Sequence, residues 1–226
     1  LFRSIPVHVR AQYKSTLGWT AKGVDSLADR LVFRKFENDD FEVTEIFEQN
    51  NPDIFFDSAI LSALIGSCSF VYLSKGENDE VRLQVIESSN ATGIIDPITG
   101  MLVEGYAVLA RDDYGQPILE AYFEPNATHF IPKDQEPYSV NNHANIPLLV
   151  PVIHRPDAVR PFGRSRITRA GMYYQKYAKR TLERADITAE FYSWPQKYII
   201  GLDPDAEPLE KWKATVSSLL TISASD

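Results

Sequence analysis

Residues 165–192 carry the longest helical repeat in the chain, and this feature constrains the fold most. Ile167, Ala170, Gly171, Tyr174, Ala178, Leu182, Ala185, Ala189 and Tyr192 fall on one face, while Arg169, Lys176, Arg180 and Arg184 fall on another. At 1.5 Å per residue the helix spans roughly 40 Å, more than twice the usual length of about 11 or 12 residues. A helix this long packs lengthwise against something large, and small residues on its apolar face let a neighbouring helix come close. Pro161-Phe162-Gly163-Arg164-Ser165 reads as the turn that starts it, with Ser165 near the cap, and Ser193-Trp194-Pro195 stops it. Beyond lie a strand at 197–200, closed by Gly201, and an amphipathic helix at 208–220 with Leu209, Trp212, Val216 and Leu219 aligned.

Ahead of the long helix the pattern is α+β. Val24, Leu27, Ala28 and Leu31 predict a short helix after Gly23, residues 32–36 an extended piece, and residues 43–50 a second helix. Pro52, favoured in a first helical turn, starts a third helix that ends at Gly66. The period then changes to two. Strands are expected at 67–74, at 81–87 with Val81, Leu83 and Val85 on one face, at 102–111, 118–123 and 127–131. Turn residues between neighbouring runs make the pairing largely antiparallel. The polar stretch 132–145 reads as a loop. Residues 146–153 contain Pro147 and Pro151, which suits an extended edge or lining segment and not a central strand.

Charge is unevenly spread. Residues 155–184 hold seven Arg and two Lys against Asp157 and Glu183, a local balance of +7, whereas the whole chain carries −8. A protein that coats nucleic acid is ordinarily basic, so the overall balance argues against that role. The basic helix instead suits contact with phosphates, a solvated face, or the acidic surface of a neighbouring copy in a head-to-tail ring. No run of about 18 apolar residues exists to cross a bilayer, and Leu1-Phe2-Arg3-Ser4-Ile5-Pro6 lacks the pattern of a signal peptide. The absence of an initiator Met suggests a start inside a longer gene product.

Motifs for chemistry are missing. His8, His129, His143 and His154 have no metal-ligand spacing. Gly163-Arg164-Ser165 is not a nucleophile elbow, and neither GxGxxG nor GxxxxGK[ST] is present. Asp203 and Asp205 sit between Gly201 and Pro208 as turn formers, and Asp39-Asp40 and Asp112-Asp113 read as solvated turn charges. Cys68, alone and in an apolar run, is expected as a buried small hydrophobe. No enzyme, cofactor or metal is expected.

Three segments together resemble the portal proteins of long-tailed bacteriophages, in the branch common in phages and prophages of Gram-positive bacteria. The first is Gly18-Trp19 with Val24-Asp25-Ser26-Leu27-Ala28-Asp29-Arg30-Leu31. The second is Ile46-Phe47-Glu48-Gln49-Asn50-Asn51-Pro52-Asp53, then Asp57-Ser58-Ala59 and Gly66-Ser67-Cys68-Ser69-Phe70-Val71. The third and most specific runs from Pro161-Phe162-Gly163-Arg164-Ser165-Arg166-Ile167 through Arg180-Thr181-Leu182-Glu183-Arg184 to Phe191-Tyr192-Ser193-Trp194-Pro195-Gln196-Lys197-Tyr198 and Gly201.

The resemblance implies a subunit of a ring, usually of twelve copies, at one capsid vertex of the virion, assembled in the bacterial cytoplasm. It implies a wing-like α+β domain over 1–163, a stem-like helix over 164–193, and the start of a clip-like region over 194–226. Partners would be further copies, the terminase large subunit, head–tail adaptors, scaffold and major capsid proteins, and double-stranded DNA in passage. Candidate interface or channel charges are Arg164, Arg166, Arg169, Lys176, Arg180 and Arg184; candidate stem-packing residues are Ile167, Tyr174, Ala178, Leu182, Ala185 and Ala189. The family's second stem helix, tunnel segment and crown would lie beyond Asp226. Competing readings are another virion or baseplate component and an α+β hydrolase or nucleotide-binding enzyme.

Overall fold

The computed structural model describes residues 16–37, 39, 41–193, 198–202 and 220–223, the backbone alone for 190–193 and the last two stretches. Two compact units result, one of Trp19–Arg169 and one that holds the long helix from Ala170. The fold is α+β.

The first unit begins with helices α1 (Trp19–Ala28), α2 (Val43–Gln49) and α3 (Pro52–Gly66). Helix α1 starts ahead of Gly23, where the sequence placed its beginning. Gly costs a helix interior only about 1 kcal/mol, and burial of Val24, 2 % exposed, outweighs it. Pro52 occupies the first turn of α3 as expected. Phe55, Ala59, Ala63 and Leu64 form the buried face of α3, and the hydroxyl of buried Ser69 donates to Ala59 O at 2.8 Å. Residues 31–36 join no strand. They are held by a cluster of phenylalanines: Phe33 stacks on Phe56 at 4.1 Å between ring centroids, and Phe36 tilts onto Phe47 at 5.0 Å.

Strands β1 (Cys68–Lys75), β2 (Val81–Glu87) and β8 (Leu149–Ile153) make a three-stranded sheet in the order β2-β1-β8. Strands β3 (Ala91–Ile95), β4 (Leu102–Arg111), β5 (Pro117–Phe123), β6 (Ala127–Pro132) and β7 (Tyr138–Asn141) make a five-stranded antiparallel meander in sequence order. Strand β8 lies at an edge, as Pro151 within it requires. Two strands were not legible as such. Gly93 and a register shift at Ile94/Ile95 interrupt β3, while β7 falls inside the stretch read as a loop because all four of its side chains are exposed.

One core joins the two sheets: Cys68, Phe70, Ile86 and Leu149 from the smaller sheet, Leu102, Ala107, Ala121, Phe123 and Phe130 from the larger. Ala107 and Ala121 are opposite one another and fully buried. Cys68 is a buried packing residue whose thiol is pushed above its ordinary pKa by burial. The second unit contains helix α4 (Arg169–Ser193) and strands β9 (Tyr198–Leu202) and β10 (Leu220–Ser223), which pair in parallel. The helix expected at 208–220, Asp203, Asp205 and His8 lie outside the described residues, apart from Leu220 in β10. No helix among the described residues is long and apolar enough to cross a membrane.

Candidate functional site

The approach to the long helix is a pinned turn. Gly163 has a φ of +75°, and a Cβ there would meet His154 O at 2.2 Å, so only glycine fits. Asp157 Oδ1 accepts the backbone N–H groups of Val159 at 3.0 Å and Arg160 at 2.8 Å. Arg164 Nε donates to Asp157 Oδ2 at 2.8 Å, and the Arg164 backbone N–H to His154 O at 2.8 Å. The Arg164 guanidinium holds the Asp157 carboxyl below its usual pKa. Arg164 is therefore paired in a loop and stands apart from the helical cations.

The helix begins at Arg169, four residues later than the sequence suggested, and Ser165 does not cap it. Residues 165–167 are committed to α3 instead. Ser165 Oγ donates to Ile65 O at 2.6 Å and accepts from the Ile167 N–H at 3.0 Å, and the Arg166 N–H donates to Leu64 O at 2.8 Å. These bonds satisfy carbonyls at the C-terminus of α3 and tie residues 165–167 to that helix end ahead of α4. Arg166 and Ile167 accordingly precede the helix.

The remaining candidates lie on α4. Its 25 residues give a rod of about 37 Å. Arg169, Tyr173, Lys176, Arg180 and Arg184 recur at steps of four, three, four and four, which aligns them in one stripe. All five are exposed. Neighbouring aromatics extend the stripe: Tyr173 and Tyr177 stack at 6.3 Å, and Tyr173 meets Tyr174 edge-on at 5.9 Å. Arg169, Lys176, Arg180 and Arg184 make no salt bridge to a described residue.

On the opposite face Ala178 is half-buried, whereas Leu182, Ala185 and Ala189 are exposed; Tyr174, 66 % exposed, flanks that face. Gln175 on this side donates to Leu17 O at 2.9 Å. Among the described residues α4 has no fully buried side chain, so it carries far more apolar surface in water than a finished core helix would.

Elsewhere the polar clusters are structural. On the outer face of β4–β5, the Tyr106 hydroxyl donates to Glu120 and the Tyr122 hydroxyl to Glu104 at 2.5 Å, two crossed pairs that lock the register. Burial, then the bond to Glu120, pushes Tyr106 up to about 12, so it stays a donor. Asp39 accepts the N–H groups of Val43 and Thr44, each at 2.7 Å, and so closes the first turn of α2. That role goes beyond the solvated charge expected from sequence. Among the described residues no group of three or more His, Cys, Asp or Glu is placed to hold a metal ion.

Neither protein-family models nor curated proteins give a match.

Proposed function

We propose that this chain is a large part of one subunit of a tailed-bacteriophage portal: a ring at one capsid vertex through which DNA is packaged and released. The observation that carries the reading is the order of parts. An α+β unit with a two-sheet core is followed by a 25-residue helix whose cationic and aromatic side chains are in water, and then by strand β9. A helix built this way stabilises little by its own propensity and requires a neighbour to cover it. A ring supplies that neighbour, since head-to-tail contacts close when the rotation between copies does.

Charge supports the same role. A duplex must slide through the ring, and a tightly binding basic wall would hold it through its phosphates. At −8 the subunit avoids that trap. The cations of α4 then serve contacts between copies, or form one local ring of charge. In this reading the ring docks the packaging motor and later the head–tail adaptors, in the virion and, before that, in the host cytoplasm. The subunit does no chemistry of its own.

Negative-stain electron microscopy with light scattering tests the reading. Rings with a central hole wide enough for duplex DNA are expected from the protein with its natural termini, and Arg169→Glu with Arg180→Glu should abolish them. That protein forming no ring at high concentration sinks the assignment, and rings untouched by the double substitution remove the helix from the interface.

A further inference from the structure

The two sheets of the Trp19–Arg169 unit have four outer edges, and the described residues close only two of them. Strand β8 places Pro151 opposite Phe70. The Leu73 N–H reaches across to Leu148 O at 2.9 Å, so in that ladder Phe70 and Pro151 form a pair without mutual hydrogen bonds. The missing N–H of Pro151 is thus lost from the outer edge, which is where an edge is protected. The pairing of β3 with β4 shifts at Ile94/Ile95, where Val103 of β4 is the extra residue, and a bulge of this kind twists the β3 edge, a second protective device. Strands β2 and β7 have neither.

Strand β2 shows what its edge accepts. The Asn50 carboxamide sits on it like a peptide group: Nδ2 donates to Val81 O at 2.8 Å, and Oδ1 accepts the Leu83 N–H at 2.9 Å. By the same alternation Leu83 O, the N–H and C=O of Val85 and the Glu87 N–H point to the open side. They face a groove walled by Ile54, Ser58 and Ser62 of α3. Strand β7 is the counterpart. The Asn142 N–H is bonded to Asn126 O at 2.8 Å, on the β6 side, so Ser139 and Asn141 turn their backbone groups outward. All four β7 side chains are exposed, and Tyr138 and Val140 are 49 % and 51 % exposed.

We propose that β7 of one copy adds to the open edge of β2 in the next, in the groove beside α3, and joins the two sheets across the contact. The occupant is a second copy because the chain presents both halves: two unprotected edges, on different sheets, with outward backbone groups at Leu83, Val85 and Glu87 on one and at Ser139 and Asn141 on the other. The contact is head-to-tail and propagates, which closes into a ring or runs on as a filament. The inference rests on the ring reading above but concerns a different surface from α4.

Proline tests it, because Val85→Pro and Asn141→Pro each remove only an outward N–H. Circular dichroism and thermal melting establish that each variant folds. Each is expected to weaken self-association by about tenfold or more. Mixed together, the two variants retain one good pairing, β7 of V85P on β2 of N141P, and should stop at a one-to-one dimer. Hydrogen exchange on the wild-type chain provides a second readout that needs no variant: the Val85, Glu87, Ser139 and Asn141 amides should exchange fast in dilute solution and become protected on association. Rings that survive both prolines, or amides that stay unprotected in the assembly, overturn the strand pairing and leave the portal reading in place. A one-to-one dimer from a chain whose wild type forms no ring supports the pairing and sinks the portal reading. A mixture that does not associate overturns the pairing.

Discussion

Single residues here reveal which contacts are complete. Thr128 is 2 % exposed, and its Oγ1 has no hydrogen-bond partner among the described residues. A buried hydroxyl left unpaired costs stability, and Val has nearly its shape without the polar atom. Thr128→Val should therefore raise stability by about 1 kcal/mol, read as a rise in melting temperature of roughly 2–4 °C. Asp39 presents the reverse case. Hydrogen bonds from Thr44, first its hydroxyl and then its N–H, and from the Val43 N–H hold its carboxyl below the ordinary value of 3.8. A depressed carboxyl contributes stability above its unfolded pKa and loses it as pH falls through the folded one. Asp39→Ala should lower the melting temperature by roughly 2–4 °C at neutral pH, with the gap to wild type shrinking as pH falls below 3.8. Asp39→Asn keeps only one acceptor oxygen and turns an amide donor toward the other N–H, so it should melt between Asp39→Ala and wild type at neutral pH.

At the scale of elements, α2, α3 and the strandless segment 31–36 depend on one aromatic cluster. Phe56 stacks on Phe33 at 4.1 Å and on Phe47 at 5.2 Å. Phe56→Ala should cost about 2–3 kcal/mol, and segment 31–36 should loosen first. Limited trypsinolysis should then cut earliest at Arg34 or Lys35, where wild type resists. That dependence marks the limit of what the sequence disclosed. Elements with a strong period were legible nearly to the residue: α3 from Pro52 to Gly66, β2 from Val81 to Glu87, β4 from Leu102 to Arg111. Elements set by tertiary contact were not. Strand β7 has no apolar face to betray it, Gly23 disguises the middle of α1, and the start of α4 is displaced because Ser165 and Arg166 bond to the end of α3, a hundred residues away in sequence. The candidate helix was plain from its stripes of small residues and cations. The separation of Arg164, Arg166 and Ile167 from it was not, since that depends on partners at Asp157, Leu64 and Ile65.

For the whole molecule the decisive quantity is the charge asymmetry. Residues 155–184 balance to +7 within a chain of −8, but Arg155, Arg160, Arg164 and Arg166 precede α4, whose five cations and three acids leave it only +2. Two copies attract when this basic segment of one faces the acidic remainder of another and repel otherwise. Attraction of that kind steers assembly and fixes orientation more than it adds affinity. It also fades once charges lie further apart than a Debye length, which shrinks from about 10 Å at 0.1 M salt to about 3 Å at 1 M. Strand pairing through β2 and β7, made of backbone hydrogen bonds, has no such dependence. The two contacts therefore separate on a salt axis. Sedimentation velocity between about 0.05 and 1 M salt should show assembly slowing and weakening with salt for wild type. Arg169→Glu with Arg180→Glu should flatten that dependence, while Val85→Pro should weaken assembly equally at every salt concentration. A steep salt response that persists in the double-glutamate variant would place the attraction on other charges and strip α4 of its role. Equal flattening by both variants would mean that the helix and the sheet edges act as one contact.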